Sequence, residues 1–189
     1  MIRIGIIGEI GSGKSYVASR FGHPVFNADQ EVTKLYKNDR KIFKTLNKLI
    51  PEYIVSFPIK KQEISKAILA NQENLKKIIK IVHREIRKKL NLFLIKNKNK
   101  KITILDIPLL LENKINNKKD LLVFVDSQKS KINKKLKKRV NFNIKLLNKF
   151  KRIQLPIDYK KRKANFIIKN DFTKKSVNIA IKKILNEIT

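Results

Sequence analysis

The sequence predicts an α/β fold, in which helices flank a five-stranded parallel β-sheet. Short apolar runs alternate with longer stretches in which apolar residues recur at helical spacing, as in strands joined by crossover helices. The first apolar run, residues 2–7, leads directly into a glycine-rich stretch, residues 8–15, as at a strand-to-helix junction. With 42% hydrophobic residues, the 189-residue chain can form a packed core. We therefore predict one domain over residues 1–189.

The glycine-rich stretch has the sequence Gly-Glu-Ile-Gly-Ser-Gly-Lys-Ser and fits the P-loop pattern G-x-x-x-x-G-K-[S/T] at every fixed position. Its glycines allow backbone N–H groups to surround a phosphate at the start of the next helix. Lys14 is predicted to reach the β- and γ-phosphates of a nucleoside triphosphate, and the Ser15 hydroxyl to bind Mg²⁺. An incidental glycine-rich turn is the alternative, which the complete pattern disfavours. The predicted nucleotide-binding residues are Gly8, Glu9, Ile10, Gly11, Ser12, Gly13, Lys14, Ser15 and Tyr16.

The second predicted strand precedes a candidate catalytic carboxylate. The first helix is predicted over residues 16–21, followed by a short strand at residues 25–26 and then by Asp29. An open parallel sheet binds its ligand beyond the carboxyl ends of its strands, so Asp29 is a candidate general base. The alternative is that Asp29 caps a helix over residues 30–36.

Residues 38–98 show helical periodicity and contain no convincing strand. Short extended pieces are possible only near residues 53–58. A long amphipathic helix occupies the end of this range, and His83 lies beside its apolar face. His83 is either a structural histidine or a ligand, and its neighbours Arg84 and Arg87 face either solvent or a phosphate.

The next strand, residues 102–105, ends at Asp106, a position suited to contact with Mg²⁺ or its water shell. Residues 108–112 then form an apolar turn that ends in Glu112, for which simple solvation is the alternative. A fourth strand over residues 121–125 closes at Asp126 and Ser127, which we predict as capping residues.

Residues 129–162 are helical, very basic and nearly free of acids. A phosphotransfer enzyme needs a cover that excludes water and brings cations to the γ-phosphate, so this segment is a candidate lid carrying Arg139 and Arg152. A plain basic surface is the alternative. A fifth strand at residues 166–168 ends near Asn170, and an amphipathic helix completes the chain.

The net charge is +31, and most of the cations are lysines spread along the chain. Such a charge would suit nucleic acid, but the joint excess of Lys, Asn and Ile favours compositional bias on solvated surfaces. The chain has no cysteine, which excludes disulfides and thiolate metal sites, and its two histidines cannot form a zinc centre unaided. The absence of a long apolar run and of a leader sequence predicts a cytoplasmic location.

The ordered motifs together resemble the bacterial dephospho-CoA kinases. Residues 10–15 have the form of that family's loop, and residues 28–29 resemble its Asp-Ala-Asp motif. His83, Ile86 and Arg87 resemble its His-Pro-x-[Ile/Val]-Arg helix, and residues 105–112 resemble its most characteristic block. The positions of Arg139, Gln154, Pro156 and residues 164–170 are similar to further family elements.

The resemblance implies transfer of the γ-phosphoryl group of ATP, with Mg²⁺, to the ribose 3′-hydroxyl of dephospho-CoA. It implies an acceptor region at residues 38–98, a lid at 128–160, and no membrane, specific nucleic-acid or obligate protein partner. The residues implied as catalytic are Lys14, Asp29 and Arg139. Metal binding is implied for Ser15 and Asp106, nucleotide binding also for Asn170, and substrate binding for His83, Arg87, Pro108, Leu109 and Glu112.

The sequence also departs from the family pattern. Asn27 stands where the first Asp of the motif is usual, and the other departures include Glu9, Thr33, Arg84, Val140, Phe150 and Asn165. Two rival functions stay open at this point. One is another P-loop kinase for a small alcohol or nucleotide, and the other is a nucleic-acid-binding ATPase.

Overall fold

The computed structural model describes residues 1–139 and 142–188, which form five strands and nine helices. The strands are β1 (Ile2–Gly8), β2 (Val25–Asn27), β3 (Ile102–Asp106), β4 (Leu121–Asp126) and β5 (Phe166–Lys169). The helices are α1 (Lys14–Arg20), α2 (Ala28–Asn38), α3 (Arg40–Leu49), α4 (Lys61–Ala70), α5 (Gln72–Lys96), α6 (Lys129–Lys137), α7 (Ile144–Arg152), α8 (Ile157–Lys163) and α9 (Lys174–Ile188).

The five strands form one parallel sheet in the order β2-β3-β1-β4-β5. This confirms the predicted fold class. β1 lies at the centre, with Gly8 opposite Val125 of β4, and Asn27 of β2 is in register with Asp106 of β3. All carboxyl ends of the strands therefore meet at one edge of the sheet, where β1 runs into the P-loop.

The central strands are buried because helices cover the sheet. Ile4 and Ile6 of β1 are fully buried and belong to one apolar cluster with Val17 of α1 and with Val177 and Ile181 of α9. Burial of each such aliphatic side chain stabilises the fold by about 1.5–3 kcal/mol. The cluster fixes α1, and with it the P-loop, on the sheet.

The chain divides into two compact units. The first, which contains the sheet, comprises Met1–Asn27, Lys96–Phe142 and Ile153–Thr189. The second, which is helical, comprises Ala28–Ile95 and Asn143–Arg152. Within the second unit, the ammonium of Lys149 in α7 donates to the carbonyls of Ile68 and Leu69, at 2.7 and 3.1 Å, and so binds the carboxyl end of α4.

The alternative in which Asp29 caps a helix is wrong, and so is the predicted capping by Asp126 and Ser127. Helix α2 already begins at Ala28, directly after β2, so Asp29 lies inside its first turn and does not cap it. The N-cap of α6 is Gln128, which makes no side-chain capping bond. Asp126 instead pairs with Lys161 of α8 at 3.0 Å.

The predicted lid segment, residues 128–160, contains α6, α7 and the first part of α8. Helix α7 belongs to the second unit, whereas α6 and α8 belong to the first. Val140 lies outside the described residues. Residues 53–58, for which short extended pieces are possible by sequence, form no strand. Among the described residues, no helix is long and apolar enough to cross a membrane.

Candidate active site

The P-loop connects β1 to α1, as predicted. Gly13 is the N-cap of α1, with a φ of 92° in the left-handed region and no side-chain capping bond. A β-carbon at this position would also collide with the amide of Asn170. Glycine is therefore required at position 13 both by backbone conformation and by close packing.

The side chain of Lys14 folds back over the loop. Its ammonium donates to the carbonyl of Glu9 at 2.9 Å and to that of Gly8 at 3.3 Å. Ser15 follows in the first turn of α1. The ammonium thus lies at the loop, where a bound triphosphate needs positive charge.

Two side chains from other strand ends hold the middle of the loop. The carbonyl of Ser12 accepts bonds from the Ser127 hydroxyl at 2.9 Å and from the Asn170 amide at 2.8 Å. Asn170 is 2% exposed, and its side-chain oxygen accepts a bond from the backbone N–H of Phe172 at 2.9 Å. Asn170 therefore holds the P-loop in position through the Ser12 carbonyl.

Sequence reasoning missed Ser127 and Phe172 at this site. The ring of Phe172 lies beside Gly13, and the ammonium of Lys135 lies 4.2 Å from the centroid of that ring. The sequence places Ser127 at a strand end and predicts it as a helix cap, whereas its hydroxyl binds the Ser12 carbonyl of the loop. The position of Phe172 follows from the turn after β5, for which the sequence has no local signal.

Helix α6 packs directly on the P-loop. A β-carbon at Gly11 would lie 2.9 Å from Leu136 and 3.0 Å from Ile132, and both of these side chains are buried. Arg139 follows α6 and is exposed, and its backbone N–H donates to the carbonyl of Leu136 at 3.1 Å. Arg139 is thus three residues beyond the part of α6 that contacts the loop.

Asp106 is buried at the carboxyl end of β3, with 3% exposure. The amide of Asn27 donates to its carboxylate at 2.6 Å. Asn27, which departs from the family motif, therefore has a structural effect. Its amide donates a hydrogen bond to the Asp106 carboxylate, whereas an aspartate at position 27 would repel that carboxylate. Asp106 and the Ser15 hydroxyl provide oxygen ligands of the kind that Mg²⁺ prefers, and Mg²⁺ usually takes few protein ligands.

A narrow cleft borders the loop. Its lining includes Gly8 and Lys14 together with Leu109, Glu112 and Lys160. The ammonium of Lys160 in α8 lies 2.8 Å from the Glu112 carboxylate, and their side chains are only 3% and 9% exposed. The same carboxylate oxygen accepts a bond from the backbone N–H of Leu155 at 3.0 Å.

The apolar turn after β3 is fixed by these contacts. Leu110 is 1% exposed, Leu109 adopts a positive φ of 58°, and Pro108 is exposed. The alternative in which Glu112 is merely solvated is wrong, because its carboxylate is buried and paired. Neither Lys160 nor this ion pair was predicted from the sequence.

Two of the candidate acceptor residues, His83 and Arg87, lie in the second unit. His83 and Arg87 are one helical turn apart on α5, where His83 is half-buried and Arg87 is exposed. Burial lowers the pKa of His83, and the positive charge of Arg87 lowers it further. A neutral imidazole next to a guanidinium offers hydrogen bonds and one positive charge to a ligand.

A parallel sheet that ends in a complete P-loop, with a lysine ammonium on the loop and a buried carboxylate on the neighbouring strand, defines the class of P-loop phosphotransferases. The chain belongs to the dephospho-CoA kinase family, since the model of that family matches residues 2–176. Membership makes it an ATP-dependent phosphotransferase.

Relatives support this assignment over nearly the whole chain. A dephospho-CoA kinase of Wolbachia pipientis is 36% identical over 190 residues, covering 98% of this chain and 97% of the relative. That of Bartonella quintana is 30% identical and covers 87% of each chain.

Solved structures agree on the fold. The crystal structure of TT1252 from Thermus thermophilus matches with a TM-score of 0.80 and 26% identity, covering 100% of this chain and 98% of that one. A dephospho-CoA kinase from Campylobacter jejuni has the same fold, with a TM-score of 0.63, 22% identity, and coverage of 99% and 97%.

Proposed function

We propose that the protein transfers the γ-phosphoryl group of ATP to the ribose 3′-hydroxyl of dephospho-CoA, giving CoA and ADP. The observation that carries the proposal is the complete P-loop, with Lys14 on the loop carbonyls, in a chain that matches the dephospho-CoA kinase family over residues 2–176. This reaction is the last step of coenzyme A synthesis.

The protein contributes mainly position and charge to such a reaction. Loop N–H groups and Lys14 bind the phosphates of ATP, and Asn170 and Ser127 keep the loop in the required shape through the Ser12 carbonyl. Arg139 neutralises the charge that develops on the transferred group.

Mg²⁺ is the metal that the residues fit. Ser15 and Asp106 would hold it, and it would neutralise charge on the β- and γ-phosphates. Asn27 supports this arrangement by donating a hydrogen bond to Asp106, which fixes the orientation of the carboxylate.

The acceptor side of the reaction is assigned to Asp29 and to the helical region. Asp29 accepts the proton of the acceptor hydroxyl as that oxygen attacks the γ-phosphorus. His83 and Arg87 bind the acceptor, and Pro108 and Leu109 contribute to its site. Glu112 contributes through its contacts with Lys160 and Leu155.

A nucleic-acid-binding ATPase is not favoured. Its support is the net charge of +31, but the lysines are spread along the sequence and do not form a single basic run. We propose a cytoplasmic location, in keeping with a substrate and product of central metabolism.

The test is an assay of ADP release with Mg-ATP and four acceptor conditions: dephospho-CoA, adenosine, AMP and none. Moderate salt screens nonspecific binding of polyanions to the basic surface. ADP should form only with dephospho-CoA, and CoA should appear in equal amount. Lys14→Ala is the inactive control.

Two results would contradict the proposal. If ADP is released with another acceptor and not with dephospho-CoA, the P-loop assignment stands but dephospho-CoA is excluded as the acceptor. Stimulation of ATP hydrolysis by RNA or DNA, with binding that weakens steeply as salt rises, would favour the ATPase.

A further inference from the structure

The ammonium of Lys160, which is buried in an ion pair with Glu112, has no direct role in the reaction as described so far. Both residues line the cleft that Gly8 and Lys14 also line, so Lys160 places a second lysine at the nucleotide site. Its side chain is 3% exposed, far below the value for a surface lysine. Lysine is rarely buried to this extent unless it is paired.

Stability alone is a weak explanation for this pair. Removing two charges from water costs about as much free energy as their attraction returns, and apolar residues of similar size often replace such pairs without loss. A buried lysine beside a phosphate-binding loop is better explained by a ligand that requires its charge.

The contacts of Glu112 show how the lysine is held. One oxygen of its carboxylate lies 2.8 Å from the Lys160 ammonium, as an ion pair, and accepts a hydrogen bond from the Leu155 N–H at 3.0 Å. An ammonium has three donors, and in the described part of the chain Glu112 is the one side-chain partner that the Lys160 ammonium has. Glu112 therefore fixes the ammonium and leaves donors for a phosphate oxygen.

The position of the cleft indicates which phosphate is involved. The other sides of the loop are covered, since Gly11 lies against α6 and Gly13 against Asn170 and Phe172. The cleft borders Gly8 and Lys14, and Lys14 reaches the β- and γ-phosphates in a P-loop. A cation on this side meets the terminal phosphate.

We infer that Lys160 is a second phosphate-binding lysine of the nucleotide site, that it contacts the γ-phosphate of ATP, and that Glu112 is its positioning residue. This inference rests on the use of ATP by the proposed reaction, but it does not depend on the identity of the acceptor.

Calorimetric titration without acceptor tests the inference. Mg-ADP and the Mg complex of the β,γ-imido analogue of ATP are each titrated into the wild-type protein and into Lys160→Met. The substitution should weaken binding of the imido analogue by about 10- to 100-fold, as expected for loss of a charged hydrogen bond, and should change ADP binding less than about twofold. Lys160→Arg, which keeps the charge, should recover part of the loss.

Lys161→Met is the matched control. Lys161 is the next residue of α8 and is also ion-paired, with Asp126 at 3.0 Å, but it does not line the cleft. Its loss should leave the affinity of both nucleotides unchanged. Equal weakening of both nucleotides by Lys160→Met, or of neither, would overturn the contact with the γ-phosphate.

A double variant separates loss of the phosphate contact from misfolding. Lys160→Met leaves the Glu112 carboxylate buried without its cation, which is costly. The double variant Glu112→Gln with Lys160→Met removes both charges and should show the same selective loss of imido-analogue binding. Glu112→Gln alone should lower the affinity for the imido analogue while leaving ADP binding intact, and an unchanged affinity for both would remove Glu112 from the positioning role.

Discussion

At the scale of single residues, Asp29 is the proposed general base of the reaction. It lies in the first turn of α2, where Thr33 donates to its backbone carbonyl at 2.8 Å. Asp29→Asn should keep nucleotide affinity and lower the turnover number by about 10²- to 10⁴-fold, the usual contribution of a general base. The measurement is steady-state kinetics beside nucleotide titration.

Glu31→Gln is the control for Asp29, because Glu31 is an acid of the same helical turn and pairs with Lys34 at 2.6 Å. Its turnover should match that of the wild type. Full activity of Asp29→Asn would exclude Asp29 as the base.

His83 should make stability depend on pH. Its pKa in the folded protein is lowered from 6.5 by burial and by the charge of Arg87. Below about pH 6.5 the unfolded chain then binds more protons than the folded protein, so stability falls as the solution is acidified. Above this pH both states are neutral and the contribution disappears.

Thermal unfolding of the wild type and of His83→Gln between pH 7.5 and 5.5 measures this effect. The melting temperature of the wild type should fall more on acidification than that of the variant. Parallel curves for the two proteins would show that His83 has no part in the pH dependence.

At the scale of elements, the P-loop depends on the turn that follows β5. Asn170 joins them, since it donates to Ser12 and accepts from Phe172. Asn170→Ala leaves buried polar groups without this partner, which should reduce the free energy of unfolding by about 1–3 kcal/mol. Nucleotide binding should weaken as well, because the Ser12 carbonyl in the loop loses one of its two side-chain donors.

Asn178→Ala provides the comparison for Asn170. Asn178 is an exposed residue of α9 that accepts a bond from Arg20 at 3.1 Å. Chemical denaturation and nucleotide titration should show little change for this variant. If Asn170→Ala behaves like it, the loop does not depend on the turn.

Predictability from sequence also differs between elements. The strands were predicted because buried parallel strands are continuous apolar runs, and the P-loop because its spacing is strict. The observed start of α2 at Ala28 differs from the predicted start at residue 30, because the helix follows directly on the end of β2. The contacts of Glu112 with Lys160 and of Ser12 with Asn170 could not be predicted, because these residues are far apart in sequence and no sequence pattern relates their positions.

At the scale of the whole molecule, the net charge of +31 should weaken the folded state by self-repulsion. Sodium chloride screens exposed charges over about 10 Å at 0.1 M. The melting temperature should therefore rise as salt is increased from low concentration, which differential scanning fluorimetry can follow.

A charge-reduced variant isolates this effect. Lys175, Lys182 and Lys183 are exposed on α9, and their joint exchange for glutamine removes three positive charges. The variant should melt higher than the wild type at low salt and gain less from added salt. A melting temperature that falls with salt in the wild type would contradict a destabilising role of the charge.

The central place of β1 in the sheet has a consequence for synthesis on the ribosome. β1 is made well before its two neighbours in the sheet, because β3 and β4 begin only at Ile102 and Leu121. Asn170 follows Ser12 by 158 residues, a delay of about 8 to 30 s at ordinary elongation rates. Until β3 and β4 are made, the nascent chain carries an apolar strand without partners, and the P-loop lacks Asn170 for longer still. Nucleotide binding should therefore begin only when the sheet is complete.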